Sequence, residues 1–214
     1  MGWLETAVDW FNNILWTYIL IALLVGAGLY FTFSTKFVQF RLFGEMFRLI
    51  TEKKEEKGGV SPFQAFTIST ASRVGTGNIT GVALAIGIGG PGAVFWMWII
   101  AIIGMATAFI ESTLAQVYKV RDGKNFRGGP AYYMEKALGS RKLGIVFSIL
   151  LILCFGFIFN AVQSNTIAAS VGEVFDIPPY IIGIVLVILT AVIIFGGVHR
   201  IVRVTQIVVP VMAL

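Results

Sequence analysis

Residues 14–33 run for twenty positions without a charged side chain, and a stretch of that kind constrains the fold more than any other feature of the chain. As an α-helix it is about 30 Å long, which matches the hydrocarbon thickness of a bilayer. A helix also satisfies its own backbone amides and carbonyls, as lipid requires. Apolar runs recur at 93–110, 143–159 and 180–197, each shorter but flanked by residues able to extend it. Composition removes the alternative of a soluble core. Of the residues, 57% are hydrophobic and 13% charged, against about 25% charged in an ordinary soluble domain. The fold class is therefore an all-α integral membrane protein. A cleaved leader is not expected, because the first apolar run follows Glu5 and Asp9 rather than basic residues.

The basic residues thread these spans. Six lie between 36 and 57, seven between 119 and 142, and Arg200 and Arg203 follow the run at 180–197. The first thirteen residues and the gaps at 87–92 and 173–179 contain none. Fifteen of the sixteen Lys and Arg residues thus fall on one side of a five-span threading, with Arg73 the exception. The excess of positive charge on cytoplasmic loops makes that side internal. A multi-pass protein of the cell membrane with an external N-terminus is expected, and Trp3, Trp10 and Trp16 suit its outer interface. This distribution accounts for the net charge of +5 without a nucleic-acid partner. The single cysteine, Cys154, sits in an apolar run, and His199 is the only histidine. Neither a disulfide framework nor a histidine-based metal site follows from them.

Three regions result. Residues 1–35 form the external N-terminus and a first transmembrane helix. Residues 36–60 form a cytoplasmic amphipathic helix and linker. There Arg41, Glu45, Arg48 and Glu52 share one face and Phe40, Phe43, Phe47 and Ile50 the other, with opposite charges four apart supporting each other. The Glu-Lys-Lys-Glu-Glu-Lys-Gly-Gly run from Glu52 reads as a solvated linker. Residues 61–214 hold a segment at 62–88, helices at 93–118, 143–172 and 180–197, and the start of another from 204. That last apolar run stops at Leu214, and a truncated sequence is the expectation.

The segment 62–88 is the informative one. Ser61 and Pro62 provide an N-cap and a first-turn proline. The chain continues through Thr67, Ser69, Thr70, Ser72 and Arg73 to Val74-Gly75-Thr76-Gly77-Asn78-Ile79. Thirteen residues rise about 20 Å, so 75–78 falls deep in the membrane, where two glycines and an asparagine are poor helix formers. Unwound backbone at that depth must be buried in protein or line a wet cavity. Its two ends differ in polarity. Carbonyls closing the first half-helix can coordinate a cation, and amides opening the second can receive a carboxylate. A zwitterionic amino acid with a co-bound Na⁺ uses both, which is how discontinuous-helix transporters are built. The competing reading is a Gly-x-Gly that admits a close helix crossing. A soluble phosphate loop is a poor competitor, since no strand precedes the glycines and no lysine follows them.

Other polar groups lie at membrane depth. Asn160, Gln163 and Ser164 share a face that should point into the protein, either for helix–helix hydrogen bonds or for a ligand. Arg73 either pairs with Glu111 or snorkels to the cytoplasm. Trp96 and Trp98 read as interfacial anchors or packing residues.

Gly89-Gly-Pro-Gly-Ala-Val-Phe-Trp-Met-Trp-Ile-Ile-Ala-Ile-Ile-Gly104 resembles the signature segment of the sodium:alanine symporter family. Ala71-Ser-Arg-Val-Gly-Thr-Gly-Asn-Ile79 and Phe126-Arg-Gly-Gly-Pro-Ala-Tyr-Tyr-Met134 are similar to that family as well. The resemblance implies a leucine-transporter-like inverted-repeat fold, here the first repeat preceded by one extra helix. It implies sodium-coupled symport of a small neutral amino acid, alanine or glycine, with the sodium ion co-transported. Gly75-Thr-Gly-Asn-Ile79 is also similar to the unwound Gly-x-Gly-Asn-Phe of the neurotransmitter:sodium symporters. That similarity puts carboxylate recognition at Thr76, Gly77 and Asn78, and sodium-coordinating carbonyls at Ala71 and Val74. The family resemblance favours Gln163 as a substrate contact. The remaining sodium ligands would come from the second repeat, in the missing C-terminal half of the same polypeptide. The other partners are the small amino acid and membrane lipids. A different cation- or proton-coupled transporter or channel of this fold, or a non-transporting half-protein, remains the alternative. An enzyme does not, because the spans lack a catalytic cluster.

Overall fold

The computed structural model describes residues 2–52, 61–123 and 125–213. Most of the charged linker run, with Lys54 in it, and Lys124 lie outside the described residues. Helix α1, Trp3–Ser34, is continuous through a π-helical stretch at Ile14–Leu20 and is long and apolar enough to cross a membrane. The same holds for α6, Gly92–Val117, and for α8, Arg141–Phe175. Between α1 and α6 come two short helices, α2 at Val38–Arg41 and α3 at Phe43–Thr51, and then the two halves α4, Pro62–Ala71, and α5, Gly77–Gly89. A small helix α7, Pro130–Ala137, precedes α8, and α9, Pro179–Ile194, and α10, Gly197–Ala213, end the described chain. The axes of α9 and α10 differ by 118° across a break of two residues.

Helix α1 docks on α6 through a residue without a side chain. A Cβ at Gly28 would collide with Ile103 Cγ2 and lie 3.1 Å from the Ile103 carbonyl. One turn on, buried Thr32 donates its hydroxyl to Gly28 O at 2.7 Å. The chain then reverses through Lys36 and Phe37, both left-handed. This reversal sets Gln39 Nε2 to donate to Thr32 Oγ1 at 2.8 Å and to Ile102 O at 3.2 Å.

The expected single amphipathic helix is two. Leu42 leaves helical geometry, with φ −101° and ψ 11°, and separates Arg41 from Glu45. The ion pair that forms is Glu45 with Arg48, three residues apart, and Glu52 falls beyond the helix in extended backbone. A second difference is a β-hairpin inside an otherwise helical chain. Val120–Asp122 (β1) pairs antiparallel with Asn125–Arg127 (β2), Val120 opposite Arg127. Left-handed Gly123 opens its turn, Arg127 bonds Asp122 at 2.6 Å, and Lys119 Nζ lies 4.6 Å from the Phe126 ring centre. The hairpin leads into α7, which is wedged between α6 and α8. A Cβ at Gly128 would lie 2.6 Å from Ala115 O, and one at Gly144 2.8 Å from Ala131 O. Burial, and then the Glu111 carboxylate, push the Tyr133 hydroxyl on α7 above the ordinary tyrosine range.

The last helix corrects a third expectation. It begins at Gly197, not at 204, and takes Arg200 and Arg203 into its first turns. Gly197 is left-handed and starts α10 directly after α9. Arg200 reaches back and donates to Val192 O at 2.7 Å. A cation is favourable at that end of α9, where carbonyls lack helical partners.

Candidate functional site

Ser61 opens α4 with a reciprocal cap. The Gln64 amide donates to Ser61 Oγ at 3.2 Å, and the Ser61 amide donates to Gln64 Oε1 at 2.9 Å. Pro62 occupies the first helical position. Helix α4 rests against α10, where Thr67, Val202 and Val209 are buried. The helix then stops. Residues 72–76 are non-helical, and α5 starts at Gly77. The break therefore sits about three residues ahead of the expected 75–78. Gly77 and Asn78 belong to the first turn of α5, where no intrahelical amide bond is required of them.

The ends of the break offer backbone groups of opposite polarity. On the α4 side, Ile68 O accepts from the Ser72 amide, and Thr70 O accepts from the Arg73 and Val74 amides. Among the described residues, no hydrogen bond reaches the carbonyls of Ala71 or Val74. On the α5 side, the Asn78 amide donates to Gly75 O at 3.0 Å and the Ile79 amide to Thr76 O at 3.1 Å. The Gly77 amide has no such partner among the described residues. Asn78 Nδ2 donates to Arg73 O at 3.2 Å, bracing the break from within.

One side chain from a distant helix meets this break. Gln163 on α8 accepts at Oε1 from the Thr76 amide at 3.1 Å and from Thr76 Oγ1 at 3.0 Å. A helix-capping threonine ordinarily accepts from its own helix. Thr76 makes no such bond and spends its hydroxyl on Gln163. Thr76 and Gln163 are half-buried, whereas Gly77 and Asn78 are exposed.

The structure thus brings Ala71, Val74, Thr76, Gly77, Asn78 and Gln163 to one break. Neighbouring candidates stay out of it. Asn160 donates back to Gly156 O of its own helix at 3.1 Å. Arg73 forms no salt bridge with Glu111 among the described residues, where the ion pairs are Glu45–Arg48 and Asp122–Arg127. Gly77 lacks positive φ, and a Cβ there would meet nothing within 4 Å among the described residues. The glycine in steric contact is Gly75, which sequence reasoning placed in the break without giving it a role.

The sequence profile of the sodium:alanine symporter family matches residues 1–214. The chain belongs to that family. It is 61% identical over 202 residues to the amino-acid carrier protein AlsT of Bacillus subtilis, a match covering 94% of this chain and 43% of AlsT. It is 53% identical over 212 residues to the "Probable sodium/glutamine symporter GlnT" of the same organism, covering 98% of this chain and 44% of GlnT. To the sodium/alanine symporter AgcS of Methanococcus maripaludis it is 39% identical over 214 residues, covering 96% of this chain and 47% of AgcS. The chain spans less than half the length of these relatives. With three helices long and apolar enough to cross a membrane among the described residues, family membership makes this a membrane protein.

Proposed function

We propose that this chain supplies the first inverted repeat of a leucine-transporter-like carrier, with one extra helix ahead of it. The carrier moves a small neutral amino acid, alanine or glycine, into the cell together with Na⁺ by alternating access. The observation that carries the reading is the break at residues 72–76, where among the described residues the Ala71 and Val74 carbonyls on one side and the Gly77 amide on the other have no hydrogen-bond partner. A half-helix C-terminus is the negative end of a dipole and suits Na⁺, and the next N-terminus is positive and suits a carboxylate. In this reading Ala71 and Val74 offer carbonyl oxygens to the cation. Thr76, Gly77 and Asn78 frame the carboxylate, and Gln163 ties the frame to α8.

The whole activity is assigned to the polypeptide that carries this segment together with the further length its relatives have. That remainder would supply the other sodium ligands. The chain threads the membrane several times with its N-terminus outside, and lipid covers the apolar faces that the rest of the carrier leaves open. The name of AgcS, a sodium/alanine symporter, favours a small amino acid, and that of GlnT, a probable sodium/glutamine symporter, makes side-chain size the property to measure. Purified complete polypeptide in proteoliposomes should accumulate labelled alanine under an inward Na⁺ gradient. Dissipating that gradient should stop accumulation. Equal accumulation with choline in place of Na⁺, or with a proton gradient alone, would refute sodium coupling.

A further inference from the structure

We propose that Gly75 is the seat of the Gln163 amide and thereby a positioning residue for the amino-acid site. The inference rests on the break being that site, and it adds a residue which that reading leaves without a role. A Cβ built on Gly75 would collide with Gln163 Nε2 and lie 3.2 Å from Cδ and 3.3 Å from Oε1. Its three nearest neighbours are therefore the atoms of one amide group. Backbone freedom does not explain the glycine, because its φ lies outside the left-handed region. Sterics does. The Gln163 side chain passes over position 75 to bond both the Thr76 amide and its hydroxyl.

A methyl group at 75 would push against the end of a flexible side chain rather than against backbone. The amide would swing aside, and Thr76 would lose both bonds. Thr76 directly precedes the first residue of α5, so releasing it re-aims the Gly77 amide. Gly75→Ala therefore acts on substrate through Gln163, at a residue that itself offers substrate no side chain.

The test is a double-mutant cycle in the complete polypeptide. Sodium-driven alanine uptake gives KM and kcat, and melting temperature is measured without ligand and with alanine plus Na⁺. Gly75→Ala should raise KM by about the same factor as Gln163→Ala, on the order of 5- to 150-fold for two lost hydrogen bonds. It should shrink the melting increment given by alanine and Na⁺ while leaving ligand-free melting nearly unchanged. The double variant should be no worse than Gln163→Ala alone, since with Gln163 truncated the three atoms nearest the added methyl are gone. Independent multiplication of the two effects would overturn the proposal. So would a Gly75→Ala carrier of normal KM beside an impaired Gln163→Ala carrier, which leaves the site reading standing. If Gln163→Ala itself left KM and the sodium-linked increment unchanged, the site reading would fall and this inference with it. Should Gly75→Ala fail to fold, folding restored in the double variant supports the clash with Gln163. Failure in both would show that backbone geometry, not Gln163, requires the glycine.

Discussion

Gln163→Ala and Thr76→Val form a graded pair that isolates the tie between α8 and the break. Alanine at 163 removes both hydrogen bonds to Thr76, at 3.1 and 3.0 Å. Valine at 76 removes only the hydroxyl bond and keeps the shape of the side chain. A net hydrogen bond contributes about 0.5–1.5 kcal/mol, so the expected losses are about 1–3 and about 0.5–1.5 kcal/mol. They appear as weaker binding because an untethered break must be ordered when substrate arrives, and apparent affinity falls with the fraction already ordered. At about 1.4 kcal/mol per factor of ten, Gln163→Ala should weaken alanine binding roughly 5- to 150-fold. Thr76→Val should weaken it by about the square root of that factor. Thr76→Ser, which keeps the hydroxyl, should bind nearly as the parent does. Calorimetric titration of the purified complete polypeptide with alanine at fixed Na⁺ reads all three. Unchanged affinity in Gln163→Ala would refute the reasoning. So would a Thr76→Val loss as large as that of Gln163→Ala, since the backbone bond would then contribute nothing.

Packing and threading give further expectations. Gly144→Ala drives a Cβ to 2.8 Å from the Ala131 carbonyl, and such overpacking should destabilise by about 1–3 kcal/mol, read as a lower melting temperature. Gly183→Ala, where a Cβ meets nothing within 4 Å among the described residues, should melt at or above the parent, because alanine is the better helix former. For the threading, a cysteine at Glu5 should react with an impermeant maleimide on intact cells and one at Arg121 should not. The reverse pattern would invert the assigned orientation.

Much of the fold was legible because lipid demands long uncharged helices, and residues 14–33 announce one outright. The cap at Ser61 and Pro62 was equally open, since those residue types satisfy amides at a known position. Boundaries were less so. Gly77 and Asn78 look like breakers, yet a first helical turn tolerates them, and the break moved ahead of them. The start of α10 hid behind Arg200 and Arg203, whose charges interrupt the apolar run although Arg200 folds back onto α9. The hairpin at 120–127 lay among basic residues read as loop. Its signal was the Asp122-Gly123 pair, a known turn former. The contact between Thr76 and Gln163 spans 87 positions, and no local periodicity encodes it. The family resemblance singled out Gln163, and only the fold supplied its partner and the role of Gly75.

The central claim is that the break at 72–76 receives the amino acid and Na⁺. Gly77→Val tests it most directly, because a Cβ at Gly77 meets nothing within 4 Å among the described residues. A loss of ligand-linked stability that leaves ligand-free stability intact then falls on the ligand rather than on packing. A ligand that binds only the native state raises its melting temperature. The parent polypeptide should therefore be stabilised by alanine, and more so as Na⁺ is added. Gly77→Val should keep nearly all of the ligand-free melting temperature and lose that sodium-dependent increment. A variant that melts far lower, yet still gains normally from alanine and Na⁺, would contradict it.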